Sequence, residues 1–148
     1  MLWNAKMRFG KTLSTLEVVK RMNYNRTLIL THRPVVDSGW FEDYGKIFYD
    51  RDDFYYFSKK NGGDPTEEEN YNEMIHHTDE NGMNAYHFIY FASIQDMRGS
   101  ELVGGKFAKN EEIFNINWDL IIIDEAHEGT QTELGKAVLS KCRKENTR

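Results

Sequence analysis

Apolar positions along the chain follow two periods, one helical and one extended. Leu13, Leu16, Val19 and Met22 recur three apart, the spacing of one helical face, before Asn23-Tyr24-Asn25 ends the run. Arg26 to His32 is a short β-branched, apolar stretch bounded by turn formers, which predicts a buried strand. Pro34 suits the first turn of a second helix, running through Val35, Val36, Trp40, Phe41 and Tyr44 and stopping near Gly45. Phe54-Tyr55-Tyr56-Phe57 reads as a strand, with the aromatics from Tyr49 to Phe57 expected mainly to fill a core. Tyr86 to Ala92 predicts another strand, Gly99 to Gly105 a loop, and Glu111 to Phe114 a helical turn. Trp118 to Ile123 is a nearly unbroken apolar run, the pattern of a buried parallel strand. A last helix is expected from Thr130 to Arg143, with Leu134, Ala137, Val138 and Leu139 inward.

Strands alternating with helices, without tight hairpins, predict an α/β domain: a mostly parallel sheet with helices on both faces. Residues 59–84 break the pattern, being polar and poor in branched aliphatics. They contain a loop at Asn61 to Pro65, a short helix opened by the capping-box spacing of Thr66 to Glu69 and ending near His76, and a turn at Asp79 to Gly82. This segment is read as a surface insertion.

Composition narrows the class. The 148 residues make one domain's worth of chain, and 39% hydrophobic with 14% aromatic content supplies a core despite a mean hydropathy of -0.71. A net charge of -5 gives no support for a protein that coats nucleic acid through charge alone, although a local cluster can still bind it. No apolar run approaches the roughly 20 residues of a membrane span, and no signal peptide opens the chain. Cys142 is the single cysteine, so no internal disulfide forms, which fits a reducing cytoplasm. It is read as a packed or surface thiol rather than a nucleophile. His32, His76, His77, His87 and His127 lack cysteine partners and match no zinc spacing.

Candidate chemistry begins at Ala5-Lys6-Met7-Arg8-Phe9-Gly10-Lys11-Thr12, which fits A/G-x-x-x-x-G-K-S/T, a loop that wraps nucleotide phosphates and opens a helix. Gly10 allows close backbone approach to a phosphate, Lys11 can reach the β- and γ-phosphates of ATP, and the Thr12 hydroxyl can ligate Mg²⁺. The amides at the start of the following helix add positive character. Only Met1 to Asn4 precede the loop, a stub of the strand such loops leave, so a chain cut from something longer, or one whose first strand is unusually short, is expected.

The partner motif is the acidic end of the last strand, Asp124-Glu125-Ala126-His127. An acidic residue there lies on the ligand edge of a parallel sheet. Asp124 can hold Mg²⁺, and Glu125 can orient and deprotonate the water that attacks the γ-phosphate. Two acids that merely start a helix are the alternative, and the upstream loop weighs against it.

With the order loop, helix, strands, then D-E-A-H, the chain resembles the first RecA-like motor domain of superfamily-two helicases and translocases. It is most similar to motor subunits of type I and type III restriction enzymes, and the resemblance covers nearly all of residues 1–148. It implies a three-layer RecA-like P-loop fold and an ATP- and Mg²⁺-dependent motor acting on DNA, or on RNA. It implies nucleotide contact by Ala5, Phe9, Gly10, Lys11, Thr12 and His127, with His127 linking nucleotide state to a second RecA-like domain. It further implies Mg²⁺ at Thr12 and Asp124, catalysis by Lys11 and Glu125, and nucleic-acid contact by Arg33 and Gln95. Ala5 replaces a common glycine, and neither the second motor domain nor its charge-stabilising arginine lies within the 148 residues. The isolated chain is therefore expected to be nearly inactive. Another kind of P-loop enzyme and an inactive interaction domain are the competing readings.

Overall fold

The computed structural model describes residues 10–32, 37–58, 87–98, 113–114, 116–124 and 132–148. Their elements, in chain order, are α1 (Lys11–Met22), β1 (Arg26–Thr31), α2 (Asp37–Ile47), β2 (Phe54–Phe57), β3 (His87–Ser93), α3 (Ile94–Met97), β4 (Leu120–Asp124) and α4 (Glu133–Cys142). The strands form one sheet in the order β2-β3-β1-β4, with every pairing parallel. The expected insertion at 59–84, the loop at Gly99 to Gly105 and the residues Val35 and Val36 lie outside the described residues.

Successive side chains of a strand face opposite ways, and the core is accordingly split in two. Leu28 and Leu30 of β1 join Phe88, Met97, Trp118, Val138 and Cys142 on the face covered by α3 and α4. Ile29, between them, joins Leu16 and Val19 of α1 and Trp40 of α2 on the other face. Layers on both faces of a parallel sheet are thus observed, as the alternation of elements predicts.

Local chemistry explains three of the element ends. Asn23 terminates α1 in the left-handed region at φ 54, and its N–H donates to the Lys20 carbonyl. Thr132 caps α4, its Oγ1 accepting from the Gly135 N–H at 3.1 Å. At the start of β1 the Asp119 carboxylate accepts from the N–H groups of Asn25 and Arg26, each at 3.0 Å.

Several expectations are corrected. Met22 is 57% exposed, because Leu16 and Val19 already complete the inner stripe of α1. The second helix does not stop at Gly45 but continues to Ile47. The Phe48 N–H also bonds the Tyr44 carbonyl at 2.9 Å, and buried Phe48 offsets the about 1 kcal/mol that a helical glycine costs. The last strand begins at Leu120 and includes Asp124, and Ile123 is 38% exposed. Among the described residues β4 is the edge of the sheet, bridged on its outer side only at Arg148, whose N–H bonds the Asp119 carbonyl. The first described strand ends at Thr31, β3 extends to Ser93, and α4 is shorter than expected, with Arg143 as its C-cap. In the aromatic run Phe54, Tyr56 and Phe57 are buried while Tyr49 is 83% exposed. His87 is a packed histidine, stacked on Phe54 at 4.6 Å with Nε2 3.5 Å from Asp53.

Candidate functional site

The site grows from the carboxyl ends of the strands. Parallel register places Ser93 of β3, Thr31 of β1 and Asp124 of β4 in one row across the sheet edge. All three are buried, and their side chains share the face that carries α1 and α2, since Phe91, Ile29 and Ile122 two residues earlier belong to that cluster. A polar row closing an otherwise apolar sheet is costly unless something satisfies it.

The start of α1 faces this row. Gly10 adopts φ 64, ψ 29, a left-handed conformation that disfavours any side chain, and a Cβ built there would meet nothing within 4 Å. Within the described protein, Gly10 is therefore required by backbone conformation rather than by space. The helix that follows has no side-chain cap and no acidic residue in its first turn, so its leading amides keep their positive end. Thr15 ties the turn by donating to the Lys11 carbonyl at 2.7 Å.

Lys11 and Asp124 meet as an ion pair, the ammonium on Oδ1, with the lysine side chain 23% exposed and the carboxylate 9%. The other oxygen, Oδ2, accepts from Nε1 of Trp40 at 3.1 Å. Thr12 follows Lys11 in the first turn of α1 and is half-buried. Thr31 Oγ1 is buried without a hydrogen-bond partner among the described residues. An ammonium, a carboxylate and the unpartnered Thr31 hydroxyl beside uncapped helix amides suit a phosphate chain with a hard cation. Oxygen donors of this kind fit Mg²⁺, which takes one or two carboxylates and keeps several waters. Among the described residues no group of three or more His, Cys, Asp or Glu could hold a metal by itself.

Of the residues singled out from the sequence, Gly10, Lys11, Thr12 and Asp124 are thus gathered at one edge. Gln95 lies at the same edge, exposed on α3, where its N–H donates to the capping Ser93 hydroxyl at 3.1 Å. The preceding strand, β3, is separated from β4 by β1, or about 10 Å at ordinary strand spacing. Ala5, Phe9, Arg33, Glu125 and His127 lie outside the described residues. Two members escaped the sequence reading. Trp40 was hidden among helix apolar positions, and Thr31 reads as an ordinary β-branched strand residue until its register opposite Asp124 is seen.

No described helix is long and apolar enough to cross a membrane. The family described as type III restriction enzyme, res subunit, matches residues 9–147. A Mycoplasma pneumoniae protein named, by inference, as the C-terminus of a type II restriction enzyme and methyltransferase is 28% identical over 155 residues. That match takes in 97% of this chain but 18% of the relative's length. The all-parallel sheet with helices on both faces agrees with the RecA-like α/β architecture of the matched family. The chain belongs to the type III restriction enzyme res subunit family, the helicase-like motor domains of restriction enzymes.

Proposed function

We propose that the chain is the ATP-binding motor domain of a DNA helicase or translocase in a restriction-type enzyme, hydrolysing ATP when a second RecA-like domain completes the site. The observation that carries this reading is the meeting of Lys11 with Asp124 at the carboxyl edge of a parallel sheet. The two residues come from the phosphate-loop motif and the acidic strand-end motif, and nothing in chain order alone would join them.

Each residue then has a role. Lys11 exchanges its bond to Asp124 for phosphate oxygens as nucleotide arrives, and Gly10 with the first amides of α1 holds those oxygens. Ala5 and Phe9 are assigned nucleotide contact from their places in the phosphate-loop motif. Thr12 and Asp124 would hold Mg²⁺, which when bound neutralises charge between the β- and γ-phosphates. Glu125, next along the chain from Asp124, receives the proton of the attacking water. His127 relays nucleotide state to the second domain, while Arg33 and Gln95 contact the DNA backbone. The buried free thiol of Cys142 suits the reducing cytoplasm where such an enzyme would act.

The test is DNA-stimulated ATP hydrolysis by the full-length protein. Lys11→Ala and Glu125→Gln should each abolish it, and Glu125→Gln should still bind nucleotide. Unchanged turnover in both variants overturns the assignment. An inactive wild-type protein that still binds DNA favours an interaction domain instead.

A further inference from the structure

Two described tryptophans are fully packed, and each must satisfy one indole N–H. Trp118 does so in the ordinary way, donating to the Ile113 carbonyl at 2.8 Å. Trp40 does something different. Its Nε1 donates at 3.1 Å to a carboxylate oxygen 84 residues away, on the acid read above as the Mg²⁺ ligand. A hydrogen bond to an ionised acceptor is about twice as strong as a neutral one, and here it is buried.

The geometry makes the indole a clamp. Trp40 is 2% exposed and belongs to the same cluster as Leu16 and Val19 of α1, Ile29 of β1 and Ile122 of β4. Its ring therefore has little freedom to turn, and its N–H direction is set by the helix that carries Lys11 and by the strand that carries Asp124. Among the described residues Asp124 has two donors, Lys11 on Oδ1 and Trp40 on Oδ2. Only Lys11 has another task, because a phosphate competes for its ammonium. Once the ammonium leaves, Oδ1 is free for a cation while the indole still fixes Oδ2. A carboxylate held through one oxygen binds through the other alone, with its plane already set.

We propose that Trp40 is a positioning residue for Asp124, its indole N–H orienting the carboxylate so that Oδ1 alone is presented to the Mg²⁺ of a bound nucleotide. This rests on the nucleotide reading of the site. Trp40 touches neither nucleotide nor metal, and acts through Asp124. Partners of this outer kind are worth about 10–100-fold in metal affinity where they have been removed.

The test compares ADP binding in Mg²⁺ and in EDTA, using the full-length protein. Trp40→Phe keeps an aromatic ring and removes the N–H. It should raise the Mg²⁺ midpoint for ADP binding by about 10-fold or more, leaving affinity in EDTA within about 2-fold. In an Asp124→Asn background, where the Mg²⁺ effect is already lost, the same substitution should change ADP affinity no further in Mg²⁺ or in EDTA, because the partner it acts through is already altered. Should Trp40→Phe fail to fold, benzothienylalanine placed at position 40 exchanges only the N–H for sulfur and reads out the same midpoint. Equal weakening in Mg²⁺ and EDTA would mark Trp40 as merely structural and overturn the proposal. So would an unchanged midpoint in a protein whose wild type binds ADP with Mg²⁺ dependence. Wild-type protein that binds no ADP at all overturns the nucleotide reading, and this inference with it.

Discussion

The Lys11 ammonium donates to Oδ1 of Asp124 across 113 residues of chain, joining the first turn of α1 to the last residue of β4. In the absence of ligand each is the other's counter-charge. Among the described residues, Lys11→Ala leaves the buried Asp124 carboxylate with Trp40 as its one donor, and should lower stability by about 1–3 kcal/mol. Adding Asp124→Asn removes the uncompensated charge, so the double variant should lose less than the sum of the two single losses. Urea unfolding of all four proteins measures this, and strict additivity would contradict a direct pairing.

The two faces of the sheet set the next contrast. Ile29, fully buried between β1 and the helices α1 and α2, should cost about 2–5 kcal/mol when changed to alanine. Met22→Ala, at a position 57% exposed, should change stability by less than about 0.5 kcal/mol. Thermal or urea midpoints of the two variants check the ranking, and a comparable loss in both would refute the observed orientation of α1.

These positions also indicate what the sequence can reveal. Leu16 and Val19 are legible because helical spacing repeats within a few residues, and the Leu28-Ile29-Leu30 strand because a β-branched run between turn formers has few alternatives. Lys11 and Asp124 are legible as motifs, since phosphate chemistry demands particular groups at particular spacings. Their contact is not, because it depends on the parallel order β3-β1-β4, a long-range pairing that no local period encodes. Trp40 illustrates the same limit. Its apolar ring obeys the helix pattern, while its N–H answers to a residue 84 positions away. Gly45 and Ile123 deceive for the opposite reason. Burial of Phe48 outweighs the local preference of a glycine, and an apolar run can occupy a sheet edge as readily as its centre.

Burial pushes the Cys142 thiol up to about 12 from its usual 9.0. The native state thus favours the neutral thiol, and its stabilising contribution is full below pH 9 and declines as pH rises from there towards 12. Two outcomes are expected: negligible reaction with a thiol reagent at pH 8 without denaturant, and a stability loss above pH 9 that Cys142→Ala diminishes. Rapid native labelling at pH 8 would contradict the buried placement.

At the opposite end of the sheet, Arg51 grips Asp53 through Nε at 2.7 Å and a second nitrogen at 2.8 Å. The hydrogen bond from Arg51, with its charge, holds the Asp53 carboxyl below its usual 3.8. A lowered native value contributes stability above pH 3.8, which is lost as pH falls through the native value. Asp53→Asn should therefore cost about 0.5–1 kcal/mol at pH 7, discounted because the side chain is 34% exposed, and should flatten the acid limb below pH 4. Chemical denaturation at pH 7 and pH 3 tests it; an unaltered acid limb would refute the assignment.

The central claim is that Lys11 and Asp124 form a nucleotide and Mg²⁺ site. Equilibrium binding of ADP to the full-length protein, with Mg²⁺ and with EDTA, tests it most directly in wild type, Lys11→Ala and Asp124→Asn. Mg²⁺ should tighten binding to wild type, and Lys11→Ala should weaken binding in both conditions. Asp124→Asn should lose the Mg²⁺ effect yet bind at least as well as wild type in EDTA, because its lysine is released. An Asp124→Asn protein with an unchanged Mg²⁺ effect, or a Lys11→Ala protein that binds like wild type, would contradict the account.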